Sequence, residues 1–362
     1  MSFFEESFYN LSDYPEYNIE NCQQDQFYQK FDDVILSCYF TLKVDPIHSS
    51  ELTETNKMQP KDNFEYIKPL YQTCLNQKIH LIIFHDSLST DFINKYQTEK
   101  IIFRKTKLSR TGFSINDERY CIYYKYLLDN PYQYVLTSDV SDVYINKNPF
   151  DFMRNYHDKS EYQKYQHLIE DISKCSDRKE IFRKARMYPE LGIQDNFSPA
   201  EIMSIIYNLA SSSDSHKRSE HKIFIGCNFI GNGPNIKSPQ WYQRREWKIK
   251  TFNSALKKNQ IDPIGYISNQ YQIYNVGTTG GKYHDVMSFF SKFLKILYVC
   301  LKERERNNYN MLLANYLVIK YLSEDYDPHT FCSKYIYTGF PFVSIYQRKE
   351  QVDVSPCCLI HK

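Results

Sequence analysis

The sequence lacks an excess of either charge. Lys and Arg together number 45 and Asp and Glu together number 43, which leaves a formal net charge of +2 over 362 residues. Proteins that bind nucleic acids or lie on membrane surfaces usually carry a basic excess, so this balance disfavours both classes. It leaves room for a local basic pocket. We therefore expect no nucleic-acid partner.

Cysteine pairs and long apolar runs are also missing. The 10 cysteines include no CxxC pair, so a zinc ribbon is disfavoured and no disulfide framework is required. No apolar stretch approaches the roughly 20 residues of a membrane span. The acidic N-terminus has no apolar core of a signal peptide. These absences predict a cytoplasmic protein with no membrane span, the alternative being the soluble catalytic part of a secretory-pathway enzyme.

Strands and helices alternate from Asp33 onward, after a polar N-terminal arm of residues 1–32. Short apolar runs indicate buried strands, and apolar residues at helical spacing indicate helices between them. This alternation is typical of an α/β protein with a mostly parallel sheet. The predicted strands cover 33–42, 79–84, 100–105 and 134–137, and the predicted helices cover 63–77, 89–97 and 114–130.

The second half of the chain departs from this pattern and then returns to it. Residues about 151–222 are charged, helical in pattern and end in a serine-rich stretch, which predicts a helical insertion or lid. Strands are expected again at 222–231 and 264–277, followed by helices at 285–301 and 310–322. We therefore expect one domain over 33–362 with this insertion.

Two acids follow the strand within Val135–Phe150, "VLTSDVSDVYINKNPF". Ligands of open α/β sheets gather at the carboxyl ends of strands, where Asp139 and Asp142 stand. Carboxylates that converge on one point need a cation, and Mg²⁺ or Mn²⁺ takes oxygen ligands while leaving positions for phosphates. The alternative is a turn with two solvated acids.

Arg119 lies on the apolar face of the helix that precedes this strand. That helix should run antiparallel to the strand, so its first turns belong at the strand's carboxyl end. We therefore expect Arg119 close to Asp139 and Asp142. It forms either a structural ion pair or a clamp for a diphosphate, because an arginine on an apolar face needs an anionic partner.

Residues 275–285, "NVGTTGGKYHD", are predicted to join a strand to a helix. The stretch matches neither a P-loop nor a dinucleotide fingerprint. It forms either a tight turn or a close backbone approach to a ligand, with the helix N-terminus favouring an anion or a polar sugar. At the C-terminus, "CCLI" is apolar enough to anchor His361 and Lys362, although a terminal dipeptide ordinarily frays.

The order of these motifs resembles a GT-A glycosyltransferase over roughly 33–150 and 222–362. The motifs are "FHDSLS", "NDERY", "VLTSDVSDVYINKNPF", "NVGTTGG", "LLANYLV" and the terminal "IHK". The resemblance implies a Rossmann-like domain with a mixed, mostly parallel sheet flanked by helices. Enzymes of this fold use an Asp-x-Asp element to hold Mn²⁺ or Mg²⁺ against a nucleotide sugar. Here two residues, rather than one, separate the acids, so either acid is a possible direct ligand.

The resemblance also implies the partners and the roles of single residues. The donor is a nucleoside diphosphate sugar, with UDP expected, and the acceptor is a glycan or a protein. Asp285 is the candidate base of an inverting enzyme, whereas a retaining enzyme needs none. Asn310 stands where the family often has an acid. The metal ligands would be Asp139, Asp142 and His361, and the donor contacts Thr41, Asp86, Arg119, Asn275, Gly280, Gly281 and Lys362.

Two other functions stay open at this point. A metal-dependent phosphoesterase or nuclease also uses clustered acids and a histidine, although it usually needs more carboxylates for two metals. A glycosyltransferase-like binding protein without turnover is the other alternative, and it is favoured by Asn310 and by the unusual spacing of the acids.

Overall fold

A computed structural model describes the chain in separate ranges, and every structural statement below concerns these ranges. They are 31–42, 60–108, 114–157, parts of 168–206, 223–228, 246–261, 263, 274–302, 309–318, 320, 336–337, 342–344 and 359–361. Almost all of the predicted N-terminal arm, and the whole of Lys362, therefore lie outside the described residues.

Strands and helices alternate through the first half of the chain, as the sequence predicts. The strands are β1 (Asp33–Tyr39), β2 (Leu81–His85), β3 (Ile101–Lys105), β4 (Tyr134–Ser138), β5 (Val143–Ile145), β6 (Ile223–Asn228), β7 (Tyr274–Lys282), β8 (Ile336–Tyr337), β9 (Phe342–Ser344) and β10 (Leu359–His361). The helices are α1 (Phe64–Asn76), α2 (Thr90–Tyr96), α3 (Ile115–Asp129), α4 (Pro149–His157), α5 (Arg178–Ala185), α6 (Glu246–Lys258), α7 (Tyr283–Lys302) and α8 (Asn310–Leu317).

The described strands form one mixed sheet in the order β3-β2-β1-β4-β7-β6-β9-β10-β5, with β8 also paired to β6. Strand β1 pairs in parallel with β2 and β4, and β2 pairs in parallel with β3. Strand β7 is antiparallel to both of its neighbours, β4 and β6. The prediction of an α/β protein with a mixed, mostly parallel sheet is thus confirmed. Its assignment to the GT-A type stays a prediction.

Alternating side chains of β1 enter two separate cores, as expected for a strand covered on both faces. Val34 and Leu36 pack in the core that contains α3, α6, α7 and α8. Ile35 and Tyr39 pack in the core that contains α1, α2 and α4. The sheet is therefore the middle layer of three, and ligands have access to it at its edges.

Side-chain caps fix the starts of two helices beside the sheet. The Ser89 hydroxyl accepts the N–H of Phe92 at 3.1 Å at the start of α2. At the start of α3, the Ser114 hydroxyl accepts the N–H of Asp117 at 3.2 Å and donates to its carboxylate at 2.9 Å. Ser114 therefore caps α3, with Asp117 at the spacing of a capping box. By contrast, Asn63 precedes α1 without a side-chain capping bond.

Strand β7 corrects the prediction of a glycine-rich loop over 275–285. The segment is a buried strand through Lys282, and α7 begins directly at Tyr283. Glycine serves here for close packing, because a Cβ at Gly280 would lie 2.8 Å from the Val135 carbonyl oxygen and 2.9 Å from the Met153 methyl. Asp285 consequently lies inside the first turn of α7 and does not precede the helix.

The predicted insertion contains helical residues that pack around a third apolar cluster. The buried members of this cluster are Leu168, Ile172, Ile181, Ala185, Ile202, Ile205 and Ile206. Helix α4, by contrast, joins the core that contains α1 and α2 through Phe150 and Met153. The insertion boundaries stay a prediction. Among the described helices, none has both the length and the apolarity that crossing a membrane requires.

Candidate functional site

The carboxyl ends of β1 and β4 lie side by side at the point where the strand order changes direction. From β1 the chain continues through β2 and β3 on one side, and then β4 pairs on the other side. The Ser37 hydroxyl on β1 donates to the Ser138 carbonyl at 2.7 Å and joins the two strands. Such a switch point forms the crevice where open α/β sheets bind their ligands.

An ion pair between Arg119 and Asp139 lies at this crevice. Asp139 follows β4 directly, and the guanidinium reaches its carboxylate from the second turn of α3. The Arg119 side chain is only 11% exposed, and that of Asp139 is 25% exposed. Burial lowers the pKa of Arg119, but Asp139, Tyr120 and Tyr123 together raise this pKa well above its ordinary value. The predicted proximity of helix and strand end is therefore observed.

Tyr120 connects this ion pair to β7. The second terminal nitrogen of Arg119 donates to the Tyr120 hydroxyl at 3.2 Å, and that hydroxyl donates to the Val276 carbonyl at 3.0 Å. The N–H of Asp139 also donates to the Gly277 carbonyl at 2.9 Å. Both members of the pair are thus fixed to the first half of β7, which limits their freedom before any ligand arrives.

Two buried N–H donors beside the pair have no acceptor among the described residues. They are Nε of Arg119 and the side-chain amide nitrogen of Asn116, three positions earlier on the same helix. Residues three apart lie on one face of a helix. Leaving a buried donor without an acceptor costs about 1–3 kcal/mol, so paired orphan donors point to acceptor oxygens of a ligand.

Asp86 orders the chain that follows β1. Its carboxylate accepts the N–H of Thr41 at 3.0 Å and the N–H of Leu42 at 2.8 Å. The Thr41 hydroxyl also contacts the Ser87 hydroxyl. Leu42 is 60% exposed although it is a large apolar residue. Asp86 therefore shapes the backbone, while Leu42 offers an apolar surface at the carboxyl edge.

The C-terminal strand lies next to Asp142. Strand β5 begins at Val143, directly after Asp142, and pairs antiparallel with β10, where His361 is opposite Val143. Strand β10 also pairs in parallel with β9, and Leu359 is buried in the core that contains α1 and α2. The predicted anchoring of the C-terminus is thus confirmed for 359–361. The side chain of His361 and the whole of Lys362 lie outside the described part.

The remaining predicted residues divide between the two edges of the sheet. Asn275 lies at the start of β7, on the carboxyl edge, and its side-chain oxygen accepts the N–H of Gly277 at 2.9 Å. Gly280 and Gly281 pair with Leu136 and Val135 inside the sheet. Lys282 pairs with Tyr134, the first residue of β4, so Asp285 beyond it lies towards the amino edge. The sheet thus separates Asp285 from the Asp139 region.

Asn310 lies at the start of α8. Its side-chain nitrogen donates to the Asn116 carbonyl at 3.4 Å, and its oxygen accepts the N–H of Met311 at 2.6 Å. It therefore holds α8 to the first turn of α3. In this position it supports Asn116 and does not act as a base.

Asn116, Tyr120 and Leu42 lie at the candidate site and were not among the predicted residues. Asn116 could have been found from its spacing, because it stands three residues before Arg119 in "NDERY". Tyr120 and Leu42 carry no such signal, since the chain contains 33 tyrosines and many apolar strand ends. Their position at the same edge of the sheet follows only from the folded structure.

Two carboxylates, those of Asp139 and Asp142, follow β4 at the carboxyl edge of the sheet. Among the described side chains, no group of three or more His, Cys, Asp or Glu residues is placed to hold a metal ion. Mg²⁺ at phosphate sites uses only one or two carboxylates and completes its coordination with water and phosphate oxygens, and Mn²⁺ prefers the same oxygen ligands. Asp139 and Asp142 supply two carboxylates between β4 and β5. Comparison of the chain with protein-family models and with curated proteins gave no match.

Proposed function

We propose that the chain is a metal-dependent glycosyltransferase of the GT-A type. It moves a sugar from a nucleoside diphosphate sugar, expected to be a UDP-sugar, to a hydroxyl of a glycan or protein acceptor. The observation that carries this proposal is the buried Arg119–Asp139 pair at the switch point between β1 and β4. Its position is where α/β folds bind nucleotides, and its charges suit a diphosphate with a divalent cation.

Asp142 is the direct metal ligand in this proposal. The carboxylate of Asp139 is paired with Arg119, and the Ser141 hydroxyl donates to Asp142 at 3.4 Å. His361, opposite Val143 in the sheet, is the proposed additional ligand. Mn²⁺ or Mg²⁺, when bound, supplies Lewis-acid stabilisation of the departing diphosphate.

The orphan donors of α3 bind the donor substrate. Nε of Arg119 and the amide of Asn116 face no described acceptor, so sugar or phosphate oxygens would satisfy both. Arg119 keeps its positive charge at all physiological pH values and stabilises charge that develops on the leaving diphosphate. Lys362 is proposed as a second cation for the same phosphates.

The nucleoside lies against the chain that follows β1. Thr41 and Leu42 are held in place by Asp86, which leaves the apolar side chain of Leu42 exposed. An apolar side chain at a fixed backbone suits one face of a nucleotide base. The proposal assigns no base to the protein, because Asp285 lies towards the other edge of the sheet.

A donor screen tests this proposal. The full chain is incubated with Mn²⁺ and a panel of nucleotide sugars, and release of nucleoside diphosphate is measured. We expect hydrolysis of one donor class, lost in Asp142→Asn and retained in Asp91→Asn, an exposed acid in the first turn of α2. If no donor is turned over, or if both variants behave alike, the proposed activity is wrong.

The two alternatives give different results in the same assay. A phosphoesterase would hydrolyse a plain phosphodiester and would not need the sugar. A binding protein without turnover would bind a nucleotide sugar in calorimetry and release no product. Direct comparison of these three readouts on one preparation therefore separates the functions.

A further inference from the structure

Helix α5, in the predicted insertion, carries a strongly basic exposed face. At about 100° per residue, four exposed cations of the helix and its C-cap fall within an arc of about 140°. These cations are Arg178, Lys179, Arg183 and Arg186. The near-neutral charge of the whole chain therefore conceals a local concentration of positive charge.

No carboxylate of α5 itself lies within this arc. Glu180 is half-buried and faces Lys184 on another side of the helix, with 3.7 Å between nitrogen and oxygen. Asp177 precedes the helix and accepts the N–H of Lys179 at 3.1 Å as its N-cap. The helix thus directs its own acid away from the basic face.

Phe182 lies in the middle of the basic face. The guanidinium carbons of Arg178 and Arg186 lie 5.3 Å and 5.6 Å from the centre of its half-buried ring. Cation–π contacts of this kind restrain both side chains. Phe182 also packs against the insertion's apolar cluster, and Arg178 donates to the Phe197 carbonyl at 3.2 Å, so these contacts order the base of the basic face.

The side of the helix next to this arc is fixed in the insertion's own apolar cluster. Ile181 and Ala185 are buried there with Leu168, Ile172 and Ile202. Because these residues hold one side of α5 inward, its rotation is set and the cations point outward. The basic face is thus a defined surface of the folded insertion.

We propose that this face binds the anionic surface of a lipid membrane. Clusters of four or more Lys and Arg on an amphipathic helix are attracted to acidic headgroups. Guanidinium groups bind phosphate oxygens through two donors at once. The surface would bring the enzyme to a membrane without any spanning segment.

A nucleic acid is the less favoured occupant. Proteins that follow a phosphate backbone carry a basic stripe over much of the domain, whereas this chain has a net charge of only +2. A single short helix with one aromatic ring offers little length along a duplex. Membrane binding needs only a compact patch of charge.

Vesicle co-sedimentation of the full chain tests the proposal. One vesicle contains phosphatidylcholine alone, and the other contains about 30% phosphatidylserine, well within the range that attracts polybasic segments. We compare wild type with Lys179→Gln/Arg183→Gln/Arg186→Gln. The matched control is Lys147→Gln/Lys257→Gln/Lys258→Gln, which removes three exposed lysines elsewhere. A charge-preserving variant, Lys179→Arg/Arg183→Lys/Arg186→Lys, tests for effects on folding.

We expect the wild type to bind the acidic vesicles alone and to be released by about 1 M salt, which screens surface charge. Binding should fall by about 100-fold in the α5 triple variant, because each cation near the surface contributes about fivefold. The control and charge-preserving variants should bind as wild type does. Equal binding by wild type and the α5 triple variant would overturn the proposal, as would binding to duplex DNA or RNA without binding to vesicles.

Discussion

Asp117 on α3 accepts the N–H of Tyr309, the residue before α8, through both carboxylate oxygens at 3.2 Å each. The Ser114 hydroxyl also donates to this carboxylate. Asp117 is fully buried, and burial raises its pKa to about 6 although these hydrogen bonds lower it. One buried acid therefore joins the helix that carries Arg119 to α8.

This pKa predicts a pH dependence of stability. Asp117 holds its proton more tightly in the folded state than in the unfolded state. Its contribution to the unfolding free energy is therefore present below pH 3.8 and is lost as pH rises through about 6. Between these pH values, the unfolding free energy of Asp117→Asn should rise relative to that of wild type by up to about 3 kcal/mol. Denaturant unfolding at a series of pH values measures the difference.

The comparison with wild type is necessary because two histidines titrate over the same range with the opposite sign. Burial lowers the pKa of both His80 and His85 to about 4, so their contribution is lost as pH falls from 6.5 to 4. These effects cancel in the difference between the two proteins. Parallel stability profiles for wild type and Asp117→Asn would contradict the role of Asp117.

The orphan amide of Asn116 predicts a loss of ligand affinity without a loss of stability. Since no described acceptor meets this amide, Asn116→Ala should change the unfolding free energy by less than about 1 kcal/mol. Affinity for the donor substrate should fall about fivefold to tenfold, the value of one hydrogen bond. Thermal unfolding and calorimetry with the donor identified in the screen measure the two effects.

Asn315→Ala is the matched control for this change. The Asn315 side chain accepts the N–H of Tyr274 at 2.9 Å and donates to the carbonyls of Tyr274 and Met311. Its loss leaves buried groups unpaired, so we expect destabilisation by about 2–3 kcal/mol. An Asn116→Ala protein destabilised as strongly as Asn315→Ala would show that the Asn116 amide has a structural role.

Gly280→Ala tests the packing explanation of the glycine-rich strand. The new methyl group would lie 2.8 Å from the Val135 carbonyl oxygen, which cannot move without shifting β4. We expect destabilisation by about 1–3 kcal/mol, the usual cost of overpacking. Denaturant unfolding measures this change, and a fully stable variant would contradict the close approach of β4 and β7.

Removal of β10 should affect both stability and the site. Leu359 is buried, and β10 supplies the pairing partner of β5, which follows Asp142. A chain that ends at Cys358 should lose about 2–4 kcal/mol in unfolding free energy and most of its Mn²⁺-dependent activity. Leu359→Met, which keeps the volume, should retain both. Unchanged activity in the shortened chain would show that β10 does not contribute to the site.

The positions of Arg119 and Asp139 could be predicted because local signals were strong. The capping residues Ser114 and Asp117 locate the start of α3, and the apolar strand before Asp139 locates the end of β4. A helix that returns along a parallel sheet then brings its first turns to that strand end. Two short-range patterns and one rule of topology were thus sufficient.

The course of β7 could not be predicted from local patterns. Glycine and threonine in "NVGTTGGK" are typical of turns, but here small residues allow close packing against β4 and α4. Because β7 continues to Lys282, Asp285 lies towards the amino edge of the sheet and not beside Asp139. The short strands β9 and β10 have no distinct local pattern, since pairing with remote segments determines where they form.

Binding of Mn²⁺ and nucleoside diphosphate to Asp142→Asn tests the proposed metal and diphosphate site most directly. Calorimetry of UDP in the presence and absence of Mn²⁺ compares this variant with wild type and with Asp91→Asn. We predict Mn²⁺-dependent binding by wild type and Asp91→Asn, and at least tenfold weaker binding by Asp142→Asn, because one carboxylate ligand is lost. If wild type and Asp142→Asn bind UDP with the same affinity and the same metal dependence, the proposed site at the switch point is wrong.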